Sequence, residues 1–379
     1  MGRLRHITEP VPLVVVTGCH AESMAAVTVG LQWDLPRAAV VRHHIDAAEL
    51  TLHRTVSDAT GALEEEVIDL DHLCASCALR EDILPTIERM ATSRRWETII
   101  VHLPVSAEAR QLCRVVTGDR RLRRLVRVAC VVAAARGGTV SADLLGGAGL
   151  LDVGAEVVPD DDRGLGEVLS GQIEYADLVA CVDGCDQDDG ELLAALARPD
   201  AAIATDGLLP SAEWLLARHH DIDRSEGWAA TVRRTPLPKL AGRRVWRLDL
   251  ASERPLHPER LMEEIEALGS GRHRSRGCFW LASRPGDVCA WEGCGGHLQI
   301  GIVDAWGSES PFTRLVIIGQ WGSEEVNELA ARFHRCVLSD EELANWTAGR
   351  GWDSDDFEPW LGPVAEPTPS LTLDRDQGA

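Results

Sequence analysis

Pro12-Leu13-Val14-Val15-Val16-Thr17-Gly18-Cys19-His20-Ala21-Glu22-Ser23-Met24-Ala25 decides the fold. An uncharged apolar run ending in Thr17-Gly18, then a short polar segment, predicts a buried strand feeding a phosphate-type loop and a helix. In the pattern G-x-x-x-x-G-K-[ST], backbone amides hold phosphates, the lysine neutralises β/γ charge and the hydroxyl holds Mg²⁺. Gly18 keeps the first glycine, but the second is Ser23, the lysine is Met24 and the hydroxyl is Ala25. Glu22 adds negative charge where phosphate would sit, and the chain's single lysine, Lys239, lies far away. The place suits a nucleotide enzyme; the phosphate chemistry has been removed.

Outward from this stretch, apolar runs at Ala38–Arg42, Thr98–Leu103, Val126–Ala133 and Leu178–Val182 alternate with amphipathic segments such as Ile83–Ser93 and Ala107–Val116. That alternation predicts an α/β domain over residues 10–232, P-loop-like, with a mostly parallel sheet. Ligands then belong at the carboxyl ends of the strands, the edge that Gly18, Cys74 and Asp186 can share. Thr235-Pro236-Leu237-Pro238 reads as a connection. Beyond it, residues 243–345 give strand, helix, several strands and a helix, a small α+β domain with one mostly antiparallel sheet. Trp280, Trp291, Trp306 and Trp321 are expected in its core or at an interface. From Asp353 to residue 379 the acidic, proline-containing tail is expected to be disordered.

The chain has 379 residues, 45% of them hydrophobic, enough for two cores. A formal net charge of −22 argues against broad affinity for DNA, RNA or anionic membranes. The one dense basic run, Arg120-Arg121-Leu122-Arg123-Arg124, reads as a solvated helix face. Met1–Thr8 is charged and no window reaches the roughly 18 apolar residues of a membrane span. Eleven cysteines without a secretion signal point to reduced thiols and a cytoplasmic protein. Cys19, Cys113, Cys130, Cys181 and Cys336 sit in or beside apolar runs, as small core residues do.

Cys74-Ala75-Ser76-Cys77-Ala78-Leu79-Arg80-Glu81-Asp82 is the most specific local signal. Two thiols three apart at a loop-to-helix junction can chelate one soft metal ion, helped by the helix N-terminus. The spacing alone leaves metal binding and two incidental thiols equally open. His72, Asp69 and Ser76 are candidate further ligands. Ser76, a neutral hydroxyl, is a poor one for a borderline-soft ion. Cys289, Cys294 and His297, separated by glycines, are read as a hairpin rather than a second metal site. Asp183, Asp186, Asp188 and Asp189 read as a solvated acidic turn. No spacing implies a catalytic triad or an acid–base pair.

The chain resembles the CobW-type metallochaperone GTPases, whose hallmark is C-x-C-C-[ST]-h-R-x-D. Cys74, Cys77, Arg80 and Asp82 match it, with Ser76 at the second cysteine. Gln172-Ile173-Glu174-Tyr175-Ala176-Asp177-Leu178-Val179 resembles the lead-in to the guanine-reading N-K-x-D, which here is Asp183-Gly184-Cys185-Asp186. Ile99-Ile100-Val101-His102 ends in histidine where the family places glutamate. Segments 257–261, 277–282 and 313–319 resemble the CobW C-terminal domain. The degenerate motifs are similar to an actinobacterial branch identified as recruiters of a ribosome hibernation factor.

The resemblance implies Zn²⁺ at Cys74 and Cys77, and a remnant nucleotide site at Gly18, Ser23 and Asp186 that does not hydrolyse GTP. It implies a recruiting role toward a hibernation factor and, through it, the small ribosomal subunit. The alternative is an active metal-delivering GTPase.

Overall fold

The computed structural model describes residues 9–69, 74–158, 160–322, 326–352 and 354–364. The first domain is built on an eight-stranded sheet in the order β4-β3-β2-β5-β1-β6-β7-β8. Its strands are β1 (Val11–Gly18), β2 (Ala38–Asp46), β3 (Thr51–Asp58), β4 (Gly61–Asp69), β5 (Thr98–His102), β6 (Val126–Ala135), β7 (Leu178–Cys181) and β8 (Ala202–Ala204). Six of them run parallel, from β2 to β8. Every residue of β5 and β7 is buried, because helices cover both faces of the sheet. The chain moves from β1 outward to β2, returns to β5, then crosses to β6 on the other side of β1. The crevice that such a reversal opens lies at the carboxyl end of β1.

The flanking helices are α1 (Ala21–Asp34), α2 (Ala75–Ala78), α3 (Leu84–Ser93), α4 (Ala109–Gly118), α5 (Leu122–Leu125), α6 (Val140–Leu145), α7 (Leu165–Tyr175), α8 (Gln187–Leu196), α9 (Ala212–Ala217) and α10 (Ile222–Ala229). A π-helical turn, Leu79–Ile83, joins α2 to α3. The arginine run is exposed around α5 except for Leu122, as a solvated face should be.

The antiparallel extension β2-β3-β4 is an element the apolar pattern does not announce. Along β3, Leu52, Arg54 and Val56 are the buried positions, so a charge occupies the middle of the inward face and hides the alternation. β4 is exposed along most of its length and carries Glu64-Glu65-Glu66, the charged edge that discourages pairing with another chain.

The second sheet, ordered β12-β11-β10-β13-β9, is antiparallel throughout. It comprises β9 (Val245–Ser252), β10 (Arg274–Phe279), β11 (Asp287–Cys294), β12 (His297–Ala305) and β13 (Thr313–Gln320), with α11 (Pro258–Gly269), α12 (Val326–Cys336), α13 (Asp340–Thr347) and α14 (Glu358–Leu361). Phe279, Trp291, Leu315, Ile317 and Phe333 form its main core. Cys278, Trp280, Trp306 and Phe312 form a smaller cluster. Trp321 lies outside both clusters and is 61% exposed after β13.

The start of the expected disordered tail is instead packed. Phe357 and Leu361 enter the main core, and Asp355 forms a fully buried ion pair with Arg284 at 2.9 Å. Two large apolar side chains and one paired charge outweigh the acidic composition of residues 354–364. Residues 365–379 lie outside the described part.

Charge pairs and close backbone contact join the two domains. Glu174 on α7 is buried between Arg274 (3.2 Å) and Arg276 (2.6 Å) of β10. At the β11–β12 turn Gly295 has φ +54° and any Cβ there would run into the Gly146 carbonyl oxygen, so only glycine fits.

Candidate functional site

The β1–α1 junction contains two residues, Cys19 and His20, because the helix begins at Ala21. A phosphate nest needs alternating right- and left-handed backbone. None of residues 18–24 is left-handed, so the amides that would cradle phosphate are wound into the first turn of α1. A Cβ on Gly18 would meet Met24 Cγ at 2.8 Å and the Ala134 carbonyl oxygen at 2.9 Å. Met24, in the lysine position on α1, is fully buried against the end of β1, and Ser23 is buried beside it.

The polar groups of this junction are satisfied internally. His20 Nε2 lies 2.8 Å from Asp143 Oδ2, which also accepts from Thr139 Oγ1 at 2.7 Å. Cys19 Sγ donates to Gln172 Oε1 at 3.5 Å, and the Gly18 carbonyl accepts from the Ser106 amide at 2.8 Å. His20 is the N-cap of α1. Nothing in the spacing of the sequence signals Asp143 or Gln172, which arrive from α6 and α7.

At the end of β5, His102 Nδ1 pairs with Thr28 Oγ1 at 2.8 Å. Burial pushes its pKa down to about 3, with Arg42, His43 and His44 adding repulsion, so the ring is neutral at pH 7. On the same edge Asp186 caps α8, accepting the Asp189 amide at 2.9 Å. Its neighbour Gly184, where the guanine motif has lysine, is left-handed at φ +72°. Asp186 itself is exposed, while Asp189 is buried and accepts from the Ser141 amide and hydroxyl.

The thiol pair sits at the N-terminus of α2. Cys74 is its N-cap, and Cys74 Sγ accepts the Cys77 amide at 3.3 Å. Cys77 is buried; Arg80 Nη2 approaches its sulfur at 3.7 Å. The hydrogen bond to Cys74, then burial and the Cys74 and Glu81 charges, raise the Cys77 pKa against the opposing pull of Arg80. Ser76 turns away to Gln111 Oε1 at 3.0 Å. The π-turn that follows is a geometry frequent at functional sites. Within it Asp82 faces inward, at 2.7 Å from His43 Nε2 and paired with Arg54. Burial raises the Asp82 pKa, but His43 and Arg54 override it and the net shift is downward.

Asp69 ends β4, exposed and opposite Thr51. His72 lies outside the described residues. Among the described residues no group of three or more His, Cys, Asp or Glu side chains converges to hold a metal ion. Cys289 is in the second-domain core, Cys294 Sγ bonds the Leu144 carbonyl at 2.9 Å, and His297 packs over Gly164. Their surroundings make them packing residues. The remaining core cysteines are buried and unpaired with one another. Among the described residues no helix is long and apolar enough to cross a membrane.

Residues 245–337 match the model of the cobalamin synthesis protein cobW C-terminal domain. A zinc chaperone of Mycobacterium tuberculosis is 29% identical over 284 residues, covering 70% of this chain and 67% of the relative. The zinc-regulated GTPase metalloprotein activator 1 of Dictyostelium discoideum is 23% identical over 265 residues, covering 65% of this chain and 56% of the relative. The crystal structure of the Zn(II)-bound YjiA GTPase from E. coli aligns with 14% identity and a TM-score of 0.35, covering 87% of this chain and 100% of that one. Residues 245–337 of the second domain thus match a cobW C-terminal domain.

Proposed function

We propose that this chain is a zinc-linked CobW-type binding or recruiting protein whose nucleotide site has lost turnover. The observation that carries the reading is the fully buried Met24 in the lysine position, packed under Gly18. Phosphoryl transfer rests almost wholly on electrostatic stabilisation, and here the cation and the Mg²⁺ hydroxyl are both absent. The names of the mycobacterial and Dictyostelium relatives support a zinc connection.

The donor chemistry fits a partial zinc site. Cys74 and Cys77 would supply two thiolates of a tetrahedral set. A helix N-terminus and Arg80 favour the ionised form, and the raised Cys77 pKa means that binding must release its proton. The other ligands would come from a client or from outside the described residues, which suits sensing or hand-over better than permanent storage. For the partner, the −22 charge favours a basic protein. A ribosome hibernation factor, with the small ribosomal subunit behind it, is the partner class this reading carries.

The second reading, a working GTPase that delivers metal, draws support from Asp186, still exposed at the same sheet edge as Gly18. Zinc titration of apo protein against a chromophoric chelator tests the metal part. Cys74→Ser, Cys77→Ser protein should bind at least about tenfold more weakly; equal affinity ends the zinc assignment. Pull-down from zinc-starved and zinc-replete cells tests the partner part. A basic ribosome-associated protein captured only in one condition supports recruitment, and an identical catch in both contradicts it.

A further inference from the structure

The amino-terminal end of the first sheet, opposite the phosphate edge, holds a cavity of about 630 Å³. Three short segments wall it: the α8–β8 turn at Arg198-Pro199-Asp200, the last two turns of α10 with Arg224 and Trp228, and the connection from Arg233 to Pro238. Its volume lies in the range of small-molecule sites.

Charge sets the ligand class. Three guanidinium groups, Arg198, Arg224 and Arg233, line the cavity against one carboxylate, Asp200. Asp200 is shared, 2.9 Å from Arg224 and 3.6 Å from Arg198. Arg198 has a second partner in the buried Asp177. Among the described residues Arg233 meets no carboxylate within ion-pair distance; it donates to the Trp228 carbonyl at 3.1 Å and lies 4.4 Å over the Trp228 ring. Two further arginines crowd it. Arg276 donates to the same Trp228 carbonyl at 2.9 Å, and Arg314 donates to the Arg233 and Thr235 carbonyls at 2.8 Å each. Those two are compensated by Glu174 and Asp249. Burial and this crowding push the Arg233 pKa down to about 10, the mark of an under-compensated cation. A net-positive hollow in a chain of charge −22 runs against the overall field, so an anion gains here what it loses elsewhere on the surface.

The opposite wall is apolar. Pro236, Leu237 and Pro238 present ring and branched surface, and the prolines have no amide hydrogen and a fixed φ. Such a wall is stiff and offers few competing donors.

We propose that this cavity binds a small anion carried on a flat apolar body, an aromatic carboxylate or a nucleoside monophosphate. Its charged end would rest against Arg233 and Arg224, and its body against Pro236–Pro238. Because the connection between the two domains forms one wall, the bound anion would pin that connection to α10. The assignment is independent of the zinc reading and of the closed phosphate edge.

Isothermal titration of the full chain with 2-naphthoate, guanosine monophosphate, inorganic phosphate and neutral 2-naphthol tests it. One-to-one binding of 2-naphthoate or the nucleotide with Kd below about 1 mM, and none by 2-naphthol, is expected. Naphthoate alone assigns an aromatic acid; the nucleotide alone assigns a nucleoside phosphate. Arg233→Gln should weaken binding by about tenfold, as should Pro236→Asp, which places a carboxylate on the exposed wall without touching the arginines. Arg233→Lys should restore part of it. Absence of binding by both anions overturns the proposal. So does unchanged affinity in Arg233→Gln and Pro236→Asp proteins that melt like the parent, and so does binding by inorganic phosphate as tight as by either organic anion.

Discussion

The β1–α1 junction and the Cys74–Asp82 segment lie in the same domain, and their side chains have opposite fates. At the junction, polar groups have internal partners: His20 has Asp143, Cys19 has Gln172, and the Gly18 carbonyl has the Ser106 amide. An apolar Met24 fills the space beneath. At the thiol corner, Cys74 is only half-buried and its sulfur accepts the Cys77 amide, while Asp82, in the π-turn that follows, is anchored in a buried ion cluster. A closed site is one whose hydrogen-bonding capacity has been spent. An open one keeps donors unspent on a firm base.

The comparison breaks most visibly if the closed region is forced open. Met24→Lys would bury an uncompensated ammonium among Val14, Val16 and Val27 and should cost about 4 kcal/mol by urea unfolding, without restoring nucleotide binding. A variant of native stability that binds GTP would show the pocket to be merely unoccupied. At the other region, Asp82→Asn removes the charge that faces His43 and Arg54. A loss of about 3 kcal/mol is expected, with weaker zinc binding because the turn under Cys77 loses its anchor. Loss of zinc affinity without loss of stability would separate the two roles.

Acid distinguishes the regions next. His43 and His102 both have pKa values lowered by burial, so the unfolded chain takes up protons that the folded chain refuses. Stability should therefore fall as pH drops below about 6.5, by up to about 1.4 kcal/mol per pH unit for each histidine. For His102 the loss continues toward pH 3. Asp82, whose pKa is depressed, adds a further loss only below about pH 4. His102→Asn, whose amide can still meet Thr28, should flatten the slope by one proton. A slope unchanged in that variant contradicts a neutral His102. The smallest effect is Glu22→Gln on the exposed start of α1, within about 0.5 kcal/mol of the parent and still without phosphate affinity.

Much of this was legible in the sequence, and the residues show why. The apolar runs located five of the six parallel strands, since strands largely buried on both faces leave a nearly unbroken signal. β8, at three residues, is too short to leave one. β3 and β4 were hidden because Arg54 faces inward, where Glu64 and Glu66 pair with it, and because Glu64-Glu65-Glu66 puts three charges in a row on a largely exposed edge strand. The departures from the phosphate-loop pattern at Ser23, Met24 and Ala25 were visible, but the two-residue junction was not, since helix starts are set by packing as much as by spacing. The thiol pair was read directly from Cys74 and Cys77. The cluster beneath it was not, because His43, Arg54 and Asp82 meet only through the fold. Phe357 and Leu361 show two apolar residues overturning an acidic composition.

Calorimetric melting of the protein with GTP and Mg²⁺ at a hundredfold excess over a micromolar Kd is the most direct measurement. An intact site of that affinity would stabilise the fold by about 2.7 kcal/mol. A melting temperature that stays flat with nucleotide and rises with Zn²⁺ is the predicted result. A rise with GTP·Mg²⁺ that disappears in Gly18→Val protein, with no response to Zn²⁺, would contradict it.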